Sequence, residues 1–237
     1  MGAKQLIFTA LAATVQAGDE VIIPAPYWVS YPDMVLVNDG TPVVVACPEA
    51  DGFKLTPQAL EAAITPRTKW VLLNTPSNPT GAMYGADELR ALGEVLARHP
   101  QVWLMTDEIY EHLAYGQARH ASPAAVVPAL AARTLTINGV SKAYAMTGWR
   151  LGYAGGPKAL IKAMATLISQ STSCVSAISQ SAARVALTAD QRCVSDAAAV
   201  FHQRRDRIVA LLNAVPGIRC PQPQGAFYVY PSVEGLL

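Results

Sequence analysis

The chain is 237 residues long, 51% hydrophobic and 15% charged, with a formal net charge of +1. Those values suit one large globular domain, or a domain with part of another, and exclude a disordered chain. Nucleic-acid or membrane-surface binding needs a concentrated basic face, and no basic run exceeds Arg204-Arg205.

The first seventeen residues are apolar, but Lys4 interrupts them and Gly18-Asp19 follow directly. The stretch is too short to span a bilayer and reads as a helix over 4–17 packed on a core. With no signal peptide in view, the expected location is cytoplasmic. Short apolar runs suited to strands follow at 20–24, 42–46, 69–74, 102–106, 134–138 and 151–155. Several are continuously apolar, as in strands covered on both faces. Helical stretches lie between them at 57–64, 86–98 and 123–131. In the second, Leu89, Leu92, Val95 and Leu96 form one stripe. This alternation predicts an α/β domain: a mainly parallel sheet with flanking helices, an α/β/α sandwich. Residues 158–213 look almost wholly helical. Pro216-Gly217 breaks that pattern, and 226–230 reads as a further strand.

The cysteines (Cys47, Cys174, Cys193, Cys220) and histidines (His99, His112, His120, His202) are scattered, without the clustering of a zinc site. They read as reduced thiols and as imidazoles in surface or structural roles, and no metal is expected.

Ligands of an open parallel sheet bind beyond the carboxyl ends of the strands. Polar clusters follow three predicted strands: Thr75-Pro76-Ser77-Asn78-Pro79-Thr80-Gly81, then Asp107-Glu108-Ile109-Tyr110, then Gly139-Val140-Ser141-Lys142. A lysine amine in apolar surroundings can attack an aldehyde and form a Schiff base. Arg150, eight residues on, can grip a phosphate bidentately. Asp107 ends an apolar strand, where a buried carboxylate needs a cation such as a protonated pyridine nitrogen. As an isolated residue it reads equally well as a helix N-cap. Tyr110 can reach the same cleft if a helical turn starts there; otherwise it is a core tyrosine. Prolines and a glycine fix the path of the Asn78 segment, which a plain connecting loop would also explain.

With these motifs in view, the sequence resembles the class I/II aminotransferases of pyridoxal-phosphate (PLP) fold type I, in the bacterial aspartate and aspartate/prephenate branch. The stretch 139–152 carries the resemblance to the lysine-attachment signature, supported by the Asn78 and Asp107 motifs in the expected order. The resemblance implies that Lys142 holds PLP and moves the substrate proton. Asp107 would pair with the pyridine nitrogen, Tyr110 and Asn78 would meet the ring oxygen, and Arg150 would bind the phosphate. Trp28 matches the aromatic that stacks on the ring; its plainer reading is a core tryptophan. Gly2-Ala3-Lys4 matches the phosphate-cradling turn at a helix N-terminus. Lys4 also lies where this branch meets an acidic substrate's distal carboxylate, and Phe227 matches a substrate-pocket residue. Many relatives have a hydroxyl three positions before the lysine. Gly139 stands there instead, so Ser141 is included as a phosphate contact.

The implied reaction is ping-pong amino transfer between an amino acid, expected to be aspartate, and a 2-oxo acid, expected to be 2-oxoglutarate, in a homodimer. Alternatives are a related PLP carbon–sulfur lyase and a non-catalytic fragment. Residues 1–213 are expected to form the PLP-binding large domain and 214–237 the start of a small C-terminal domain. Both ends are abrupt, so the chain reads as an excerpt. The family's N-terminal arm, and the small-domain arginine that binds the substrate α-carboxylate, would lie outside it, leaving a form able to attach PLP but not to turn over efficiently.

Overall fold

The computed structural model describes residues 2–237. A six-stranded sheet forms its centre, made of β1 (Glu20–Ala25), β2 (Thr41–Ala46), β3 (Thr68–Asn74), β4 (Trp103–Asp107), β5 (Thr134–Gly139) and β6 (Gly152–Gly155). The spatial order is β2-β1-β3-β4-β5-β6. The first five strands run parallel and β6 pairs antiparallel to β5. The β5–β6 connection holds no helix beyond one 3-10 turn, so it returns beside β5 as an antiparallel edge.

Side-chain alternation builds the two faces. Val21, Ile23, Trp70, Leu72, Met105, Leu135 and Ile137 point to one side. There they meet α1 (Ala3–Thr14), α2 (Ser30–Leu36) and α6 (Lys158–Ser171) through Ile7, Leu11, Tyr31, Val35, Leu160 and Met164. Ile22, Val71, Leu73 and Leu104 point to the other side and pack with Leu60 of α3 (Pro57–Ala63) and the Leu89–Leu92–Val95–Leu96 stripe of α4 (Ala86–Arg98). The α/β/α sandwich is therefore as expected, down to the stripe on α4.

Local chemistry sets several helix ends. Thr56 caps α3, its hydroxyl accepting from the Ala59 N–H at 3.2 Å, with Pro57 at the first helical position. Glu88 reaches back to the Gly85 N–H at 2.7 Å to start α4.

Two expectations need correction. The helix expected over 123–131 is two pieces, α5 (Pro123–Val126) and a 3-10 stretch, Pro128–Arg133. Pro128 has no N–H to give, and it pushes Val127 out of helical geometry (φ −128°, ψ 73°). Residues 158–213 are almost wholly helical, as expected, in three helices, α6, α7 (Ala177–Thr188) and α8 (Arg192–Asn213), with Ser173 at φ 61° in the first break. The strand expected at 226–230 does not form. Its neighbourhood makes only isolated bridges, Ala114 to Gly225 and Arg219 to Ser232. The Ala226 N–H bonds the Leu113 carbonyl at 2.8 Å and the Tyr115 hydroxyl bonds the Ala226 carbonyl, so loops satisfy this backbone. The short helix α2 was not expected from the sequence.

Helix α1 is wedged against the sheet edge at Gly152, where an added Cβ would sit 2.6 Å from the Ala3 nitrogen and 2.7 Å from the Gly2 carbonyl carbon. Backbone on both sides leaves nothing flexible to yield. Gly152→Ala is therefore expected to cost about 1–3 kcal/mol, read as a lowered urea midpoint. An unchanged midpoint would show that the start of α1 is not held this way.

Candidate active site

The three polar clusters do converge. A cavity of about 210 Å³ opens at the carboxyl ends of β3, β4 and β5, and Asn78, Asp107, Tyr110, Ser141 and Lys142 line it. Ala3, Lys4, Trp28 and Arg150 complete its rim. Of the residues singled out from sequence, Phe227 alone is not on this wall. It fronts a neighbouring cavity with Phe201 and Arg204.

Asp107 is the last residue of β4 and 5% exposed. No helix follows it, so the N-cap alternative is not realised; the chain turns, and Oδ1 accepts the Ile109 N–H at 3.3 Å. Oδ2 accepts the hydroxyl of Tyr31 at 2.8 Å. Burial pushes its carboxyl up to about 6, against the pull of the Tyr31 and Ile109 bonds. Among the described residues it has no ion pair. Lys142, whose charge favours ionisation of Asp107, acts through space.

Parallel register places Asn74 beside Asp107. Its amide donates to the Asp107 carbonyl at 2.8 Å and its Oδ1 accepts the Asn78 N–H at 2.7 Å. One side chain thus ties the Asn78 turn to the Asp107 backbone. Tyr110 lies in the turns after β4, with its hydroxyl 2.6 Å from that of Tyr228. Burial first, and then the Tyr228 bond, makes the Tyr110 phenol hold its proton far more tightly than an ordinary tyrosine.

Lys142 follows β5 by three residues. Its Nζ stands 5.7 Å from the Tyr110 ring centre and 5.6 Å from that of Phe227, and the described residues offer it no hydrogen bond or ion pair. Gly139, where a hydroxyl residue was the alternative, has a structural reason to be glycine. A Cβ there would meet the Leu151 carbonyl oxygen at 2.8 Å.

Positive charge gathers at the start of α1. Gly2, its N-cap, provides no side-chain cap and donates its N–H to the Arg150 carbonyl at 3.0 Å. A Cβ on Gly2 would lie 3.0 Å from Arg150 Nη2, so the guanidinium stands beside the helix N-terminus. Arg150 takes left-handed backbone (φ 51°) and donates to the Thr147 carbonyl at 2.8 Å. Lys4 Nζ lies 4.6 Å over the Trp28 ring and donates to Ser30 Oγ at 3.2 Å. Trp28 meets Tyr31 edge-on, at 5.3 Å between ring centres.

Sequence reasoning missed Tyr31, Asn74, Thr147 and Tyr228, all on the cavity wall. Asn74 was findable, since it ends a strand parallel to the one that Asp107 ends. Tyr31 needed the short helix α2, and Tyr228 needed the folding back of the C-terminal segment. Behind Asp107, Glu108 is buried and accepts from Ser122 Oγ at 2.8 Å, with His120 Nε2 also at 2.8 Å.

Comparison with known proteins places this geometry. The sequence model for aminotransferase class I and II matches residues 1–236. The chain belongs to that family. It is 58% identical over 236 residues to the aspartate/prephenate aminotransferase of Cereibacter sphaeroides, covering 100% of this chain and 59% of that protein. The crystal structure of the aspartate aminotransferase from Rhizobium meliloti superposes with a TM-score of 0.98 at 56% identity, covering 100% of this chain and 59% of that one. The Thermus thermophilus aspartate aminotransferase with maleate gives 0.90 at 45% identity, covering 97% and 59%. The chain thus spans 59% of the length of these relatives.

The raised carboxyl of Asp107 has a thermodynamic consequence. The folded chain holds this proton more tightly than the unfolded chain, whose carboxyl titrates near 3.8. Stability therefore falls as pH rises between about 4 and 6, and the full cost, about 3 kcal/mol, is present above that window. Asp107→Asn is expected to raise the melting temperature of the cofactor-free chain at neutral pH, with the advantage fading as pH falls toward about 4. Melting curves against pH test this; a variant less stable than wild type at neutral pH would contradict it.

Proposed function

We propose that the protein is a PLP-dependent aminotransferase that moves an amino group from aspartate to a 2-oxo acid such as 2-oxoglutarate. The observation that carries this reading is one cavity holding a lysine amine, a buried carboxylate without a partner cation, and an uncapped helix N-terminus beside an arginine. That donor set fits the cofactor. The helix start and Arg150 suit a phosphate, Asp107 suits a protonated ring nitrogen, and the amine suits an aldehyde.

On this reading the Ala3 N–H, Arg150 and Ser141 would hold the phosphate. Trp28 would lie against the ring. Asn78 and Tyr110 would donate to its hydroxyl oxygen, and Asp107 would keep its nitrogen protonated. Bound PLP supplies a carbonyl carbon for amine exchange and an electron-withdrawing ring that makes the substrate α-proton acidic. Lys142 would hold the cofactor's aldehyde carbon covalently, and its amine, when free, is the base placed to take the substrate α-proton. Lys4 is assigned to the distal carboxylate of an acidic substrate, held near Trp28 by the Ser30 bond. Phe227 is assigned to the substrate pocket on the strength of its place against Tyr110 and beneath the lysine amine. The relatives' names support aspartate as donor.

The same proposal includes a homodimer, a cytoplasmic location, a large domain over 1–213 and a second domain beginning at 214. These rest on the family. No helix among the described residues is long and apolar enough to cross a membrane.

Mixing the chain with PLP is expected to give a visible absorbance band that borohydride fixes onto the peptide containing Lys142, and that aspartate discharges before reduction. Lys142→Ala should lose the fixation entirely. Labelling of another lysine, or a band that survives in that variant and resists aspartate, would overturn the reading.

A further inference from the structure

The C-terminal segment is pinned across the site by its backbone. The Gln224 and Gly225 N–H groups bond the Gly81 carbonyl at 3.1 and 3.0 Å, and the Ala226 N–H bonds that of Leu113. Gly225 fits against Leu113, Met83 and Pro76, where a Cβ would approach each within 2.8 Å. Ala226 is fully buried. These ties fix the path of the two residues that follow. Phe227 lies edge-on to Tyr110, with ring centres 5.3 Å apart, and Tyr228 meets Tyr110 both edge-on and hydroxyl to hydroxyl.

We propose that Tyr228 is a positioning residue that acts through Tyr110, fixing the direction of its hydroxyl and donating to its oxygen whenever Tyr110 donates into the cleft. This rests on the reading above, in which Tyr110 meets the ring oxygen of PLP. A phenol has one proton and two lone pairs. At 2.6 Å the two hydroxyls are bonded and only one of them donates. When the Tyr110 proton turns to an acceptor in the cleft, the pair persists only with Tyr228 as the donor. A hydroxyl that accepts a hydrogen bond becomes a better donor, so donation from Tyr228 strengthens the Tyr110 bond to the ring oxygen. The other charged or titratable groups facing Tyr110 are Asp107 on β4, Tyr31 on α2 and Lys142 after β5. The Tyr31 hydroxyl is spent on Asp107, and Lys142 Nζ lies over the Tyr110 ring face.

The test loads wild type, Tyr228→Phe, Tyr110→Phe and the double variant with PLP, and follows the visible band against pH and cofactor concentration. Losing a donor to the ring oxygen leaves more negative charge there, so the lysine-linked chromophore keeps its proton to higher pH. Tyr110→Phe should raise the midpoint most. Tyr228→Phe should raise it by a few tenths of a unit and weaken PLP retention roughly 2–10-fold, as expected for one hydrogen bond. In the Tyr110→Phe background it should add nothing. A wild-type midpoint and retention in Tyr228→Phe, or full additivity in the double variant, would overturn the proposal. A wild-type chain with no visible band would defeat the cofactor reading itself, and this inference with it.

Discussion

A carboxylate buried at the end of a central strand is the constraint that organises this site. Asp107 is out of water, accepts two hydrogen bonds and has no ion pair among the described residues. Burial of that kind opposes ionisation. The fold nonetheless surrounds the group with donors, the Tyr31 hydroxyl and the Ile109 N–H, that favour the charged form. The arrangement suits a group waiting for a cation, with an amine standing across the same cavity.

The scaffold holds that carboxylate from several directions. Parallel pairing sets Asn74 beside it, and Asn74 passes the constraint to the Asn78 turn. Tyr31 descends from α2 and braces the same carboxylate against Trp28. The start of α1 is pressed onto β6 at Gly152, which sets the helix N-terminus beside Arg150. The positions proposed to contact the ring and the phosphate are thus held by strand ends and a helix start, with the loops between them tied down by named bonds. Pre-organisation of this kind lets electrostatic groups act without reorganising during the reaction.

Much of this was legible in the sequence. Continuous apolar runs marked the buried parallel strands, and the rule that ligands sit beyond strand ends singled out the Asn78, Asp107 and Lys142 clusters from residue order alone. Tertiary detail stayed hidden. A short helix such as α2 leaves little periodic signal, so Tyr31 passed unnoticed. The aromatic run after Gly225 has strand-like composition, yet it finds no sheet edge and spends its side chains on Tyr110 and Phe201 instead. Pro128 split a helix whose pattern looked continuous. Gly139 looked like a departure from a hydroxyl pattern, and contact across the β5–β6 edge explains it.

The central claim is that Asp107 faces, and keeps charged, a protonated pyridine nitrogen. The nitrogen-15 chemical shift of ring-labelled PLP bound to the chain reads that protonation state directly. The account predicts a protonated nitrogen in the wild type at neutral pH and a neutral one in Asp107→Ala. A neutral ring nitrogen in the wild type, or a protonated one that survives loss of the carboxylate, would contradict it.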